Sequence, residues 1–467
     1  MTSRRNRTTA ARIDSMIGLL NRRRLLQVGG LGLFGLDLPR IFAAEAAAGS
    51  EPGNAPAARI KSCILVFHYG GPSHIDTVDM KPEAAREVRG EFQSIETSAP
   101  GIRICEHMPT MAKVMHHVAI VRSMHHPMRN HNAAAVEALC GRTPQGGDLE
   151  LLADDAQAFP CYGSILNYVM RDGSRELSHV ALPHVMFNVV QLPGQTSGFL
   201  GSSFERFQVE SDPNAPNFNV SSLSLPGDVP NARLDRRKSL LNVIEKQPNG
   251  ASAAEEIRPL RTFYQKAFDL LASEKVRHSL DIAQEPAALR ERYGRNRLGQ
   301  SMLLARRLVE SGVRFVTVFD GIHNGQDANW DSHQLVFPRH KDHLIPPADR
   351  GFSALIEDLA ARGLLDSTLV VSLGEFGRTP RINAAAGRDH WPDCFSVLMA
   401  GGGIRGGTAY GTSDNIGAYP ETDPVTPGDL AATLFDRFGI NPATEMHDLT
   451  GRPWRIAEGK PIDALFG

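Results

Sequence analysis

Apolar residues along this chain gather in short unbroken runs, and each run stops at a polar or glycine-rich loop. Cys63–Phe67 runs into Gly70-Gly71-Pro72, Val118–Val121 into Arg122-Ser123-Met124-His125-His126, and Phe315–Phe319 into Asp320-Gly321. Thr368–Leu373 and Val397–Ala400 repeat the theme, ending at Gly374-Glu375 and Gly401-Gly402-Gly403. Runs this short, without polar alternation, predict strands buried on both faces. Between them the period changes. Residues 132–140 are alanine-rich and predict a helix starting just after His131; Ala348–Gly363 places Phe352, Leu355, Ile356 and Leu359 on one helical face. Leu260–Ala305 is largely helical in pattern, and no internal repeat is present. Strands alternating with helices predict an α/β fold of three layers, α/β/α, with a mostly parallel central sheet. In such sheets, ligands collect at the carboxyl ends of the strands.

The remaining segments set the domain organisation. Residues 60–467 are read as one domain, with the polar stretch 200–260 as a cap or insertion. Ahead of it, 1–46 reads as an export address: Asn21-Arg22-Arg23-Arg24-Leu25-Leu26-Gln27 resembles a twin-arginine signal, Val28–Leu36 is a glycine-rich apolar run, and Ala44-Glu45-Ala46 offers a cleavage site. Residues 47–59 form a linker. The apolar run is too short for a good membrane span, although an uncleaved signal would leave an anchor. The expected location is therefore the periplasm or the outside of the cell.

Composition narrows the chemistry. With 467 residues and 42% hydrophobic content, the chain can bury a large core. A formal net charge of −2 gives no support for nucleic-acid binding. Five cysteines, none in a C-x-x-C pair, are too few for a disulfide scaffold and read as buried free thiols. The 17 histidines are the informative count, because most of them cluster. His68, His74, His125, His126 and His131 fall in the first third, and His323, His333, His340, His343 and His390 fall late, beside Asp and Gly loops. Imidazoles and carboxylates concentrated in distant segments suit a metal site assembled at a sheet edge.

The loops that carry these clusters are Gly70-Gly71-Pro72-Ser73 with Asp76 and Asp79, Lys81-Pro82, Arg89-Gly90-Glu91-Phe92, Trp330-Asp331-Ser332-His333, Arg362–Asp366, the Glu375 loop, and Gly387–Pro392. On these motifs, which span about residues 60 to 450, the chain resembles an exported bacterial family known as domain of unknown function 1501. More distantly, it resembles the alkaline phosphatase and sulfatase superfamily. That resemblance implies a parallel-rich sheet with one or two divalent metals above it. It also implies a nucleophile opening a helix, ten residues before a glycine. Gly141 fits the glycine, and the nucleophile position then falls on His131, where no hydroxyl or thiol stands. The strand Thr368–Leu373 leads to Glu375, which can replace an expected Asp ligand, and to Phe376, which cannot replace the expected His. Asp331 and His333 resemble an upstream Asp and His pair, His390 the final His, and Asp76 a substitute for the acid missing after the first strand.

The metal ligands expected from these residues are Asp331, His333, Glu375 and His390, with Asp76 as a further candidate. Mixed N and O donors suit zinc, manganese, iron or calcium, and one ion rather than two, since two ligands of a second site are missing. For His131 three readings stay open: a ligand or general base, a nucleophile, or a structural hydrogen-bonding residue. Arg378 and Arg388 are candidate anion clamps, each with the alternative of a loop-shaping salt bridge. Ser73 lacks the Gly-x-Ser-x-Gly context of a nucleophile elbow. The expected activity is a metal-dependent hydrolase of phosphate or sulfate esters, using an activated water or His131, on a small anionic ester or a sulfated or phosphorylated glycan. The rival is a binding or scaffold protein that keeps the fold without catalysis. A phosphotransferase or isomerase is a third reading.

Overall fold

Every residue of the first strand, β1 (Ser62–His68), is buried, and its side chains divide between two cores. Cys63, Leu65 and Phe67 join one apolar cluster and Ile64 and Val66 the other, as the two-residue period of a strand requires. This computed structural model describes residues 59–171, 177–220, 273–321 and 329–466. The twin-arginine segment, the linker up to residue 58, His323 and residues 221–260 lie outside the described residues.

The other strands of the main sheet are β2 (Val118–Met124), β3 (His179–Leu182), β4 (Phe207–Gln208), β5 (Phe315–Asp320), β6 (Thr368–Leu373), β7 (Phe395–Ala400) and β8 (Thr408–Tyr410). Their order across the sheet is β8-β2-β7-β6-β1-β5-β3-β4. Five of the seven pairings are parallel; β7 alone runs antiparallel to both its neighbours. The sheet is therefore mixed and mostly parallel. Helices α1 (His131–Cys140), α2 (Tyr162–Val169), α3 (Arg297–Glu310), α4 (Ile345–Ala361) and α5 (Pro427–Arg437) cover its faces. Leu298, Met302, Phe352 and Leu355 from α3 and α4 pack in the core with Ile64 and Val66. Leu139, Ile165 and Phe435 from α1, α2 and α5 pack in the core with Leu65 and Phe67. The architecture is thus the three-layer α/β/α sandwich that the apolar runs predict.

All five strands read from the sequence are present, and Thr368–Leu373 keeps its predicted bounds. The edge strands β4 and β8 and the penultimate β3 are short and escape the pattern. β4 lies within the stretch expected as an insertion, yet it pairs with β3 as the sheet's last strand. The helix α5 also escapes it, although its entry carries a capping box between Thr426 and Asp429 with Pro427 in its first turn.

The antiparallel β7 matters for the site. Because β6 ends and β7 begins at the same edge, the chain from Gly374 to Cys394 stays at that edge throughout. It meets there the loops that leave β1, β2 and β5. The loop after β1 turns through Gly70 and Gly71, both at positive φ (105° and 66°). A Cβ on Gly71 would stand 2.5 Å from the Phe376 ring and 2.7 Å from the Phe376 carbonyl. Gly101 is also at positive φ (83°) but has nothing within 4 Å of an added Cβ. Gly101→Ala should cost about 1 kcal/mol, the conformational term alone. Gly71→Ala should cost roughly 2–4 kcal/mol, because overpacking adds to that term. Paired urea unfolding curves measure the difference.

Candidate metal centre

Three imidazoles converge on one carboxylate at this edge. Asp331 follows β5, and its carboxylate is about a third exposed. The His131 Nε2 lies 3.3 Å from Asp331 Oδ2; His333 Nε2 and His390 Nε2 lie 3.1 and 3.3 Å from Oδ1. His333 Nε2 and His390 Nε2 are themselves 3.0 Å apart. Each ring is held from behind through its other nitrogen. His131 Nδ1 sits 2.6 Å from Glu375 Oε1, His333 Nδ1 2.7 Å from Asp389 Oδ1, and His390 Nδ1 2.7 Å from the Arg129 carbonyl. Oxygen atoms facing Nδ1 accept a hydrogen bond from its N–H, fix the tautomer and aim the Nε2 lone pair forward, as metal-ligating histidines require.

His131, Asp331 and His390 offer one ligand atom each within 4.8 Å of one another. Among the described residues this is the group of three or more His, Cys, Asp or Glu side chains compact enough to hold an ion. His131 opens α1 at the floor of the site, buried between Tyr69, Phe376 and His390, whose ring centroids lie 5.1, 5.0 and 4.3 Å from its own. His333 stands at the more exposed rim. The fit to a divalent cation rests on the donors themselves: two neutral-capable imidazoles and a carboxylate face one point, and the buried His131 Nε2 makes no hydrogen bond of good geometry.

Charge decides how the site behaves without an ion. Burial opposes the imidazolium of His131, but Asp331 and Glu375 together outweigh it and raise its pKa to about 9. The Asp331 hydrogen bond likewise raises His333. Burial lowers His390, leaving it neutral at pH 7. Asp331 itself is desolvated, yet the three imidazoles and Arg378 hold its carboxyl well below the usual carboxylate range. The metal-free site thus holds a proton on His131, where a cation would neutralise the same carboxylate.

The remaining expected residues take supporting places. Glu375 is fully buried; its Oε1 accepts from the Gly70 N–H at 2.8 Å as well as facing His131, so it stands behind His131 and outside the compact group of candidate ligands. Arg378 is fully buried and donates to Asp331 Oδ1 (2.6 Å), to the Gly70 carbonyl, to the Gly71 carbonyl (3.1 Å) and to the Arg388 carbonyl (3.0 Å). It positions Asp331, and its guanidinium is engaged with that carboxylate and with backbone carbonyls inside the fold, which corrects the clamp expected of it. Arg388 and Asp76 correct each other: the guanidinium grips the carboxylate at 2.7 and 2.8 Å, both groups are fully buried, and Arg388 also donates to the Thr379, Pro380 and Val88 carbonyls. Neither is free for an anion or a metal. This is the loop-shaping alternative, and it ties 387–390 to the loop after β1. Sequence reasoning missed Asp389, which orients His333, although it stands next to His390 in the quoted motif. It missed Tyr69 and Phe376 as walls, because nothing in their spacing marks them.

Residues 60–466 match the family described as "Protein of unknown function (DUF1501)", and the chain belongs to that family. No curated protein matches it. Solved structures to which it is similar include the lipoteichoic acid synthase LtaP from Listeria monocytogenes, with 11% identity, TM-score 0.39, and 87% of this chain and 76% of that chain covered. They also include the PsFucS1 sulfatase from Pseudoalteromonas sp., with 12% identity, TM-score 0.36, and 82% and 68% covered. An alkaline phosphatase from the Antarctic bacterium TAB5 matches with 11% identity, TM-score 0.32, and 77% and 96% covered. At these scores the likenesses carry no argument about activity.

Two outcomes follow from the geometry. Asp76→Asn should cost about 3–5 kcal/mol in urea unfolding, because it strands the buried Arg388 charge. The second is a pH dependence of the metal-free protein. The pKa of His131 is raised on folding, so its contribution is complete below about 6.5 and is lost as pH rises through about 9. The thermal midpoint of chelator-treated protein should fall over that window, and His131→Gln should flatten the fall.

Proposed function

We propose that the protein is an exported, metal-dependent hydrolase of phosphate or sulfate esters, working with one ion held by His131, Asp331 and His390, and with His333 completing the set. The observation that supports this most is the convergence of three back-anchored Nε2 atoms on Asp331. When bound, a divalent ion there would supply Lewis acidity and lower the pKa of water toward neutrality.

The chain's own residues favour water over a side-chain nucleophile. His131 occupies the opening position of α1, but one ring nitrogen faces Glu375 and the other faces Asp331. A ring so held is a ligand and cannot swing to attack. Ser73 is fully buried, with its hydroxyl at the Asp76 N–H. Arg378 keeps Asp331 in one orientation. With Arg378 and Arg388 engaged inside the fold, the anion must be met by the ion and by a group at the mouth. Arg129 is suited to meet it there. Its carbonyl holds His390, and its guanidinium is half exposed, lies 5.6 Å from the centre of the Trp391 ring, and pairs with Asp393 at 2.6 Å. Exchange of Asp393 for a substrate oxyanion costs little, since exposed ion pairs contribute under about 1 kcal/mol.

The engaged arginines are also what favours the second reading, a binding protein without turnover. Metal analysis of the purified chain followed by a screen of aryl phosphates and sulfates separates the two. One ion per chain, lost in His390→Ala together with all turnover, is the expected result. Arg129→Ala should raise KM by about tenfold while leaving the ion bound, the loss of one charge-assisted contact. An ion with no turnover on any ester would leave the binding protein as the reading. Localisation by twin-arginine export is part of the proposal, and cell fractionation before and after Arg22→Lys/Arg23→Lys tests it.

A further inference from the structure

Among the described residues, eight large apolar side chains stand exposed: Leu149, Leu151, Phe187, Val189, Leu335, Ile416, Tyr419 and Leu449. Exposed apolar residues scattered singly need no explanation, but most of these share a common attachment. All but Leu449 lie on segments fastened to a chain neighbour of one of the three histidines.

Around His131, the carboxylate of Asp148 accepts the N–H groups of Arg129 and Asn130 at 3.0 and 2.9 Å, and the Asn132 amide donates to the Leu152 carbonyl at 2.7 Å. Leu149 and Leu151 ride on that segment. Asn188 donates to Asn132 Oδ1 at 3.2 Å and to Glu150, which brings Phe187 and Val189 to the same place. Leu151, Phe187 and Val189 are 65%, 61% and 68% exposed. Beside His333, Leu335 is held at a φ of 52°, a conformation that costs a leucine energy, with its N–H on the Ala385 carbonyl. Beside His390, the Trp391 indole donates to the Ala418 carbonyl at 2.6 Å and its ring meets Tyr419 at 5.7 Å. Asp414 pins that loop by accepting from Ile416, Ala418 and Tyr419. Polar groups thus fix each segment while its apolar side chain stays in water, and Leu149, Leu151, Phe187 and Val189 share two segments tied to each other and to the start of α1 beside His131. Exposed apolar groups gathered beside a site mark a binding surface.

The composition of the rim chooses among substrates. Five of these seven side chains are aliphatic and two aromatic. Sugar rings are bound by flat aromatic faces with polar partners, whereas aliphatic groups match an alkyl chain. We infer that the ester cleaved at this centre carries a long alkyl alcohol, which lies across Leu149, Leu151, Phe187 and Val189 while its phosphate or sulfate sits at the His131–Asp331–His390 point. The inference rests on the hydrolase reading and selects an amphiphile over the glycan expected from the sequence.

The experiment is titration calorimetry of zinc-loaded protein with methyl-, butyl- and octylphosphonate and the matching sulfonates. Affinity should rise about twofold per methylene, half-way to full burial on a logarithmic scale. Leu151→Ser/Phe187→Ser/Val189→Ser, all at exposed positions, should keep the methylphosphonate affinity and lose most of that gradient. Equal affinity for methyl- and octylphosphonate overturns the inference while leaving the hydrolase reading intact. So does an unchanged gradient in the triple variant. Binding of phosphatidylcholine vesicles as strong as that of octylphosphonate, with or without zinc, overturns it in favour of surface docking. If no phosphonate or sulfonate binds at any length, the hydrolase reading itself fails.

Discussion

Everything at the sheet edge is organised around one carboxylate. Asp331 carries a charge that is two-thirds withdrawn from water, and an uncompensated charge there would cost several kcal/mol. Arg378 answers it from below, and the three imidazoles answer it from the front. Arg378 in turn depends on the Gly70 and Gly71 carbonyls, which point inward because both residues take φ values that side chains resist. The glycines, the arginine and the aspartate are therefore one device. Change any of them and the carboxylate loses its direction, and with it the focus on which the histidines converge.

Why the fold is so legible in the sequence while the site is only half legible has a physical cause. Strands buried on both faces announce themselves, because almost every residue from Cys63 to Phe67 or Leu369 to Leu373 must be apolar. The strands His179–Leu182 and Phe207–Gln208 are too short to make a recognisable run. At the site, His131, Asp331 and His390 are legible as residue types beside strand ends, and they do meet. Arg378 and Arg388 read as facing a ligand and instead face the fold. A sequence cannot say whether a guanidinium faces solvent or a carboxylate such as Asp76, far off along the chain. Glu375 shows the same limit: its place after β6 is readable, but whether it touches an ion or stands behind a histidine depends on the direction of one side chain.

The position of His131 also reshapes the chemistry that the resemblance implied. A nucleophile at a helix start needs a free, exposed atom; here both ring nitrogens face oxygen atoms and the ring is packed on three sides. The same helix start that would have delivered a covalent step instead places His131 in a group that could hold an ion. Under the proposed hydrolase reading, attack by water is the consistent alternative, and His333 marks the more exposed flank of the site.

The ligands come from segments near residues 131, 331 and 390, each brought to the edge by a different strand of the same sheet. In the unfolded chain they are scattered, and no partly ordered piece carries the set. An ion bound here would therefore recognise the completed sheet and nothing short of it. By mass action it would oppose global unfolding, with a strength set by its concentration relative to its dissociation constant, and leave the fraying of surface loops untouched. The metal would then act as a lock on the finished topology, closing only after the slowest, most distant strand pairings had formed.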